Sequence, residues 1–356
     1  MNVLIIGAGP VGLTAGVELA RLGAHVEIIE REKAGSMLSR AIGIDPHSLK
    51  ILEASGVTEK LLAEGIKYEA AHFYHKNKPW VTLQLNAASP VQYGYNYMLG
   101  LPQDRTEAIL CEIFKSLGGI VHYDTKLENI TQDEEGVVAK TCDGQEFSCN
   151  YLIGADGVHS ITRQLMGIEC EYTELPEIWS IADVDADRDD LADGVSMYLL
   201  EPGTMVFIAP IGEHRFRLVS NTKQALKIIP TDLNIINIRR EAEFKIKIGQ
   251  VKSYQKGRVF LAGDAAHAHS PVGGRGMNLG IADAADLAGK LVSGKGDEYT
   301  ASRYAEGNKI IAGSEMLRKL LGTTSPWKHF LVLKLFKLIA AVPALQRKFA
   351  SKFLYG

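Results

Sequence analysis

Three glycines in the pattern Gly7-x-Gly9-x-x-Gly12, followed by an acid at Glu30, are the first residues whose types and spacing imply chemistry. In such a turn Gly7 permits the sharp bend, Gly9 lets the backbone approach a pyrophosphate, and Gly12 lets the next helix pack closely. The helix start adds free N–H groups and the positive end of its dipole. Glu30 is suited to accept hydrogen bonds from both hydroxyls of a ribose, and its charge repels a 2′-phosphate. The pattern predicts a site for an AMP half with a free ribose, with Pro10 and Val11 inside the loop. By itself the loop does not separate FAD from NAD. Two later stretches carry the same kind of signal. YLIGADG at 151–157 sets an acid and a glycine after an apolar run, and GDAAHAHSPVGGRGMNLGIADAADLAG at 263–289 is a second glycine-rich turn opening into helix-forming sequence.

These residues need elements to position them. Apolar runs at 3–6 and 26–29 flank helix-forming residues at 13–22, which predicts a βαβ unit with its glycines at the first turn. A further helix is expected near 47–54, started by Pro46 and followed by Gly56. A hairpin is expected over 68–85 and another helix over 106–117, then strands at 120–123, 127–132, 137–141 and 151–154. Strand-like stretches dominate 178–251, and 259–262 restores the signature of a buried parallel strand. The predicted chain leaves a doubly wound α/β domain twice for antiparallel material and returns each time. That divides it into a discontinuous nucleotide domain (1–68, 98–175 and 252–314), a substrate domain (69–97 and 176–251) and a C-terminal helical segment (315–356).

Composition narrows the function classes. With 46% hydrophobic and 23% charged residues and a formal net charge of −3, the chain reads as an ordinary globular protein, and no nucleic-acid partner is expected. Cys111, Cys142, Cys149 and Cys170 match no zinc or C-x-x-C spacing and are expected to be reduced thiols in a cytoplasmic protein. There is no basic leader and no apolar run of about 18 residues, so no signal peptide or transmembrane helix is predicted. No metal site is expected, and no nucleophile motif points to hydrolysis. His267 and His269 are expected to be structural. From Leu317 to Gly356 there are eight Lys or Arg and no Asp or Glu, and residues 330–345 read FLVLKLFKLIAAVPAL. A helix apolar nearly all round is expected to be buried, against the nucleotide domain or a second subunit. Peripheral contact with anionic lipid is the alternative.

In its motifs the chain resembles the flavoprotein aromatic hydroxylases related to para-hydroxybenzoate hydroxylase and the ubiquinone-pathway hydroxylases. The resemblance rests on GAGPVG with Glu30-Arg31, on YLIGADGVHSITRQ and on RVFLAGDAAHAHSPVGGRGMNLGIADAADLA. SRAIGIDPHSLKILEASGV and LPQDRTEAIL add weaker support. The motifs fall in family order and cover nearly the whole chain. Arg275 departs from the glutamine of many members, and the chain is short for the family. The resemblance implies a Rossmann-like α/β FAD-binding domain, an inserted and mainly antiparallel β-sheet substrate domain, and a C-terminal helical segment. It implies FAD as cofactor, NADPH or NADH as transient co-substrate, and O2. It assigns Glu30 to the adenosine ribose, Arg31 to the side of the adenine, and the backbone at Leu127 to the adenine itself. Arg40 and Gln103 are assigned to the pyrophosphate and ribityl chain, and Asp264 to the ribityl or phosphate region. Asp156 is assigned a place shared between FAD and the nicotinamide nucleotide.

On this reading the second glycine-rich run serves the flavin ring. Reduced flavin carries negative charge around N1 and the C2 carbonyl, which a helix N-terminus stabilises. Gly273, Gly274 and Gly276 would let the backbone approach, Met277 and Asn278 would supply the first N–H donors, and Pro271 would pack beside the ring. The activity implied is a monooxygenase that hydroxylates an aromatic or other electron-rich small molecule with NAD(P)H and O2 through a flavin C4a-hydroperoxide. A related flavin epoxidase, an isoprenoid-chain reductase or a non-catalytic FAD-binding protein are the alternatives. The antiparallel segment around 176–252, with Tyr198, Met205, Phe207 and Phe216, is expected to roof the substrate pocket, these four serving either as core or as pocket lining, and no substrate ligand or catalytic base is assigned.

Overall fold

A computed structural model describes residues 1–35, 41–88, 92–187, 193–229 and 233–355. The predicted βαβ unit forms as strand Asn2–Ile6, helix α1 (Pro10–Arg21) and strand His25–Ile29, whose two strands run parallel. Pro10 at the first helical position needs no hydrogen-bond acceptor there, so α1 starts cleanly after Gly9. Helices α2 (Pro46–Ile51) and α3 (Val57–Glu64) replace the one helix expected near 47–54. Gly56, expected to follow a helix end, caps the start of α3 at φ +76°.

The remaining helices are α4 (Gln103–Ser116), α5 (Ile161–Leu165), α6 (Gly276–Val292), α7 (Tyr299–Leu321), α8 (Pro326–Ala341) and α9 (Pro343–Tyr355). The central six-stranded sheet has the order Gln255–Lys256, Val259–Leu261, Tyr151–Gly154, Asn2–Ile6, His25–Ile29, Ile120–His122. All its pairings are parallel except the first, which is antiparallel. Its core strands are apolar on both faces because helices cover one side and the three-stranded antiparallel sheet of Leu127–Gln132, Val137–Thr141 and Glu146–Cys149 covers the other.

The second large sheet has eight strands, in the order His267–Ala268, Asn234–Gln250, Thr173–Asp187, Arg215–Ser220, Thr204–Gly212, Gly194–Glu201, Ala70–His75, Lys78–Gln84. Antiparallel pairing prevails, and the pairing of Gly194–Glu201 with Ala70–His75 is parallel. The hairpin expected over 68–85 turns at Lys76 and Asn77, both at positive φ. Strand Asn234–Gln250 is longer than expected. Much of its first half lies exposed, with Ile236 and Ile238 in solvent, so no burial pattern marked it.

Side chains on the pleated sheet alternate between two apolar layers. Tyr198, Val206, Ile208, Phe216 and Leu218 form one layer. Met205, Phe207, Ala209 and Val219 belong to the other, together with Met98, Val272 and the inner faces of α8 and α9. The four residues expected to roof a pocket therefore divide. Met205 and Phe207 lie on the side of Val272, whereas Tyr198 and Phe216 lie on the far side, where Tyr198 stacks on Tyr74.

Candidate active site

The three sequence signals converge because their strands are neighbours. Asn2–Ile6, Tyr151–Gly154 and Val259–Leu261 run parallel, so Gly7–Gly12, Ala155–Gly157 and Ala262–Asp264 leave the same carboxyl edge. That edge is where open α/β sheets place ligands. Gly7 turns at φ +104°, and a Cβ there would lie 2.7 Å from the carbonyl oxygen of Ala155. A Cβ on Gly12 would lie 2.0 Å from the carbonyl oxygen of Gly7, so only glycine permits α1 this close to the loop. Gly9 is different: nothing lies within 4 Å of a Cβ built there. Its open side is the cradle into which a phosphate can come.

Glu30 sits across the loop, with Oε2 accepting the Ala8 N–H at 2.8 Å and Oε1 the Glu32 N–H at 3.0 Å. These two amides fix the carboxylate at the strand end. Arg31 is exposed and pairs with Glu32 at 3.3 Å. The Gln103 side chain accepts the Ala41 N–H at 3.0 Å and donates to Glu107 at 2.7 Å, tying α4 to the segment after residue 40. Arg40 itself lies outside the described residues. Leu127 buries its side chain in the layer under Leu4, Ile6 and Ile29.

Asp156 uses Oδ2 to accept the N–H and hydroxyl of Thr162, at 2.9 and 3.0 Å, at the start of α5. Its Oδ1 is buried and has no protein partner. Arg163, which carried no assigned role in the sequence, joins two of the motifs. Its guanidinium donates to the carbonyls of Ala265 at 2.8 Å and Val158 at 3.0 Å.

Val11 meets the second motif directly, since Cβ atoms built on Gly263 and Gly280 would fall 2.8 and 2.4 Å from its methyl group. Thus the start of α1 and the middle of α6 abut through one valine. Asp264 projects from this contact into solvent, with no hydrogen bond among the described residues. Asp283, two turns into α6, is fully buried. It accepts the Gly263 N–H at 2.9 Å, His267 Nε2 at 2.6 Å and Arg303 Nε at 2.6 Å. Burial pushes its carboxyl pKa up, but His267, Arg303 and the Gly263 amide outweigh that and hold it below the usual range. His267 is fully buried and spends Nε2 on this carboxylate. His269 bonds the Ser270 carbonyl through Nδ1, and burial, with His267 beside it, holds its imidazole below the ordinary range.

The loop before α6 turns at Gly273 and Gly274, both at positive φ, and the Gly274 N–H closes on the Pro271 carbonyl at 3.0 Å. The first intrahelical bond of α6 runs from Leu279 N–H to the Arg275 carbonyl, so the amides of Gly276, Met277 and Asn278 have no acceptor within the helix. The Asn278 side chain donates to the carbonyls of Gly43 and Gly274 and accepts the Asp45 N–H, each at 2.9 Å. It holds the helix start against the start of α2. Arg275 lies largely buried beneath the end of α9. It donates to the carbonyls of Lys352 and Phe353 near the end of α9, and to Asp45 at 3.5 Å.

An open pyrophosphate cradle at Gly9, a ribose acid at Glu30, an unpartnered carboxylate at Asp264 and free amides at a helix start fit an extended flavin dinucleotide. Fold and site together define an FAD-binding oxidoreductase. The FAD binding domain family model matches residues 1–312. A rifampicin monooxygenase of Rhodococcus hoagii is 30% identical over 353 residues, which span 91% of this chain and 72% of that protein. A pentachlorophenol 4-monooxygenase of Sphingobium chlorophenolicum is 27% identical over 349 residues, or 90% of this chain and 64% of that protein. The crystal structure of p-nitrophenol 4-monooxygenase from Pseudomonas putida DLL-E4 shares the fold with a TM-score of 0.90 at 19% identity, covering 99% of this chain and 96% of that one. The chain belongs to the FAD-dependent aromatic hydroxylase family and is an FAD-dependent monooxygenase.

Asp264 offers a clean test of the ring-side half of the site. It makes no hydrogen bond among the described residues, so Asp264→Ala should leave the melting temperature of the apoprotein unchanged. If the carboxylate holds the ribityl or phosphate region through a charge-assisted bond, FAD affinity should fall roughly tenfold to a hundredfold. Fluorescence titration of the apoprotein with FAD measures this, and unchanged affinity removes Asp264 from the site.

Proposed function

We propose that this monooxygenase hydroxylates a neutral, lipophilic aromatic ring, with NADH or NADPH as the electron donor. The observation that carries the reading is the apolar layer facing the loop before α6: Met98, Val272, Met205, Phe207, Ala209 and Val219. The buried guanidinium on that face, Arg217, is held by Asp183 in a two-pronged pair at 2.6 and 2.7 Å. A substrate carboxylate entering this layer would lose its hydration and would have to compete with Asp183 for Arg217 and for Arg215, which stands 3.7 Å from the Asp183 carboxylate, at a cost of several kcal/mol. A neutral ring would lose only its contact with water.

In this reading Gly7, Gly9, Pro10, Val11, Gly12 and Glu30 hold the AMP half of FAD, with Arg31 and the backbone at Leu127 beside the adenine, and Gln103 reaches the pyrophosphate and ribityl chain. Asp156 and Asp264 face its middle, and Gly274, Gly276, Met277 and Asn278 face the ring beside Pro271. Bound FAD supplies the two-electron redox centre and activates O2. The chain contributes oriented amides where negative charge gathers and an apolar layer that excludes water. Residues 315–356 add a surface contact, with a membrane or with a second copy of the chain.

Protein loaded with FAD should oxidise NAD(P)H faster when neutral phenols or fused aromatic ketones are added, with one oxygen atom gained by the product. Benzoate-type carboxylates should give at most a small fraction of that stimulation. Flavin loading without stimulation by any neutral ring, or preference for carboxylates, would overturn the substrate class.

A further inference from the structure

We propose that α8 docks the protein onto an anionic lipid surface. The inner face of this helix, His329, Val332, Leu333 and Phe336, is buried, and its apolar members join the layer containing Phe73 and Val81. The outer face is not polar, as it would be on an ordinary surface helix. Trp327 is 67% exposed, Phe330 47%, Leu331 47%, Leu335 43% and Leu338 53%. Their spacing of three and four residues makes one continuous stripe along the helix. Isolated exposed apolar residues are common, but a stripe of five large ones marks an interaction site.

Charge selects the occupant. Lys328 and Lys337 flank the stripe and Lys334 lies within it, over the Phe330 ring at 5.2 Å, and all three are exposed. Between Leu317 and Gly356 stand eight cations and no carboxylate. A second copy packed stripe to stripe would bring these lysines together with no acid in the segment to pair them, and like charges forced together oppose association. Lipid phosphates supply the missing anions. Long lysine stems can lie along the apolar surface while their ammonium groups reach the phosphates. Trp327, at the first turn, suits the boundary between headgroups and acyl chains. Helices α8 and α9 meet at 107°, and α9 buries Ala350 and Leu354 in the protein, so the pair lies along the surface and forms no straight span. This docking is independent of the redox chemistry.

The test uses the full chain loaded with FAD and sedimented with large vesicles, either pure phosphatidylcholine or phosphatidylcholine mixed with phosphatidylglycerol. Binding is expected to the anionic vesicles, to weaken with added salt, and to be at least tenfold weaker on pure phosphatidylcholine. Lys334→Glu with Lys337→Glu should lower the partition coefficient by tenfold or more. Leu331→Glu with Leu335→Glu should remove binding, with FAD content and circular dichroism unchanged because both side chains face away from the core. Three results would overturn the docking. One is no vesicle binding at low salt. A second is equal binding to both vesicle types. The third is a dimer in sedimentation velocity that the leucine variants dissociate while vesicles stay unbound.

Discussion

Gly12→Ala is expected to lower stability and remove FAD binding together, whereas Gly9→Ala is expected to remove most FAD binding and leave stability intact. The two glycines sit three residues apart in one loop, so a difference between them isolates the physical role of each. At Gly12 the added methyl carbon would lie 2.0 Å from the Gly7 carbonyl oxygen, a backbone atom that moves only if α1 moves. Such overpacking costs about 1–3 kcal/mol or more, and the shift also carries the helix amides away from the pyrophosphate. At Gly9 the backbone is at φ −76°, ordinary for alanine, and the methyl meets no protein atom within 4 Å. A Gly→Ala change at such a position stabilises by about 0.4–1 kcal/mol through the unfolded chain. The methyl nevertheless fills the space a phosphate needs, and affinity should fall roughly a hundredfold, about 2.7 kcal/mol. Thermal melts of both apoproteins, followed by FAD titration, decide the matter. A Gly9→Ala protein that binds FAD like the parent would place the pyrophosphate elsewhere.

Asp283→Ala should be the most destabilising single change at the ring-side motif, costing about 3–5 kcal/mol. The carboxylate is fully buried and satisfies Arg303, His267 and the Gly263 N–H at once. Its removal leaves a buried guanidinium with no counter-charge and frees the turn that carries Asp264. The same network sets a pH dependence. Because the folded-state pKa of Asp283 is depressed, its contribution to stability is fully present above the ordinary aspartate range, near 4, and is lost as pH falls through the folded value. The stability gap between the parent and Asp283→Asn should therefore be constant at neutral pH and narrow in acid. Denaturant melts from pH 7 down to about 3 measure the gap, and a gap that widens in acid contradicts the assignment. FAD affinity should also fall in Asp283→Ala, since Gly263 abuts Val11 of the first loop.

How far the site was legible in the chain varies with the range of the interactions involved. The GAGPVG turn was readable because its constraints are local: a positive φ at Gly7 and a carbonyl five residues before Gly12 operate within one turn. The first strands and helices were readable for the same reason, since apolar periodicity reports which face each one buries. The boundary between α2 and α3 was not, because Gly56 is equally at home after one helix and before the next. Arg163 gave no signal, because its partners Val158 and Ala265 are backbone carbonyls, and one lies a hundred positions away. Asp283 and Asp286 lie on the same alanine-rich helix, and it is the contacts with His267 and Arg303 that set Asp283 apart. Arg275, noted only as a departure from the family's glutamine, is explained by the end of α9 that it holds.

By itself the sequence determined that this chain binds a dinucleotide at a strand–turn–helix and that two later motifs belong to the same chemistry. The first conclusion rests on sterics and hydrogen bonding within a few residues, which the order of amino acids dictates directly, and the second rests on the family resemblance that the motifs carry. Only the tertiary structure decided that the three turns share one sheet edge, and that Val11 joins the first to the last. It alone separated Met205 and Phe207, on the side of the α6 loop, from Tyr198 and Phe216, because a strand's alternation shows two faces and not which one a neighbour covers. It also resolved α8, where burial was expected all round, into a buried face and an exposed apolar stripe. A composition that is apolar around the whole helix carries no direction, and the direction came from the single sheet against which the helix packs.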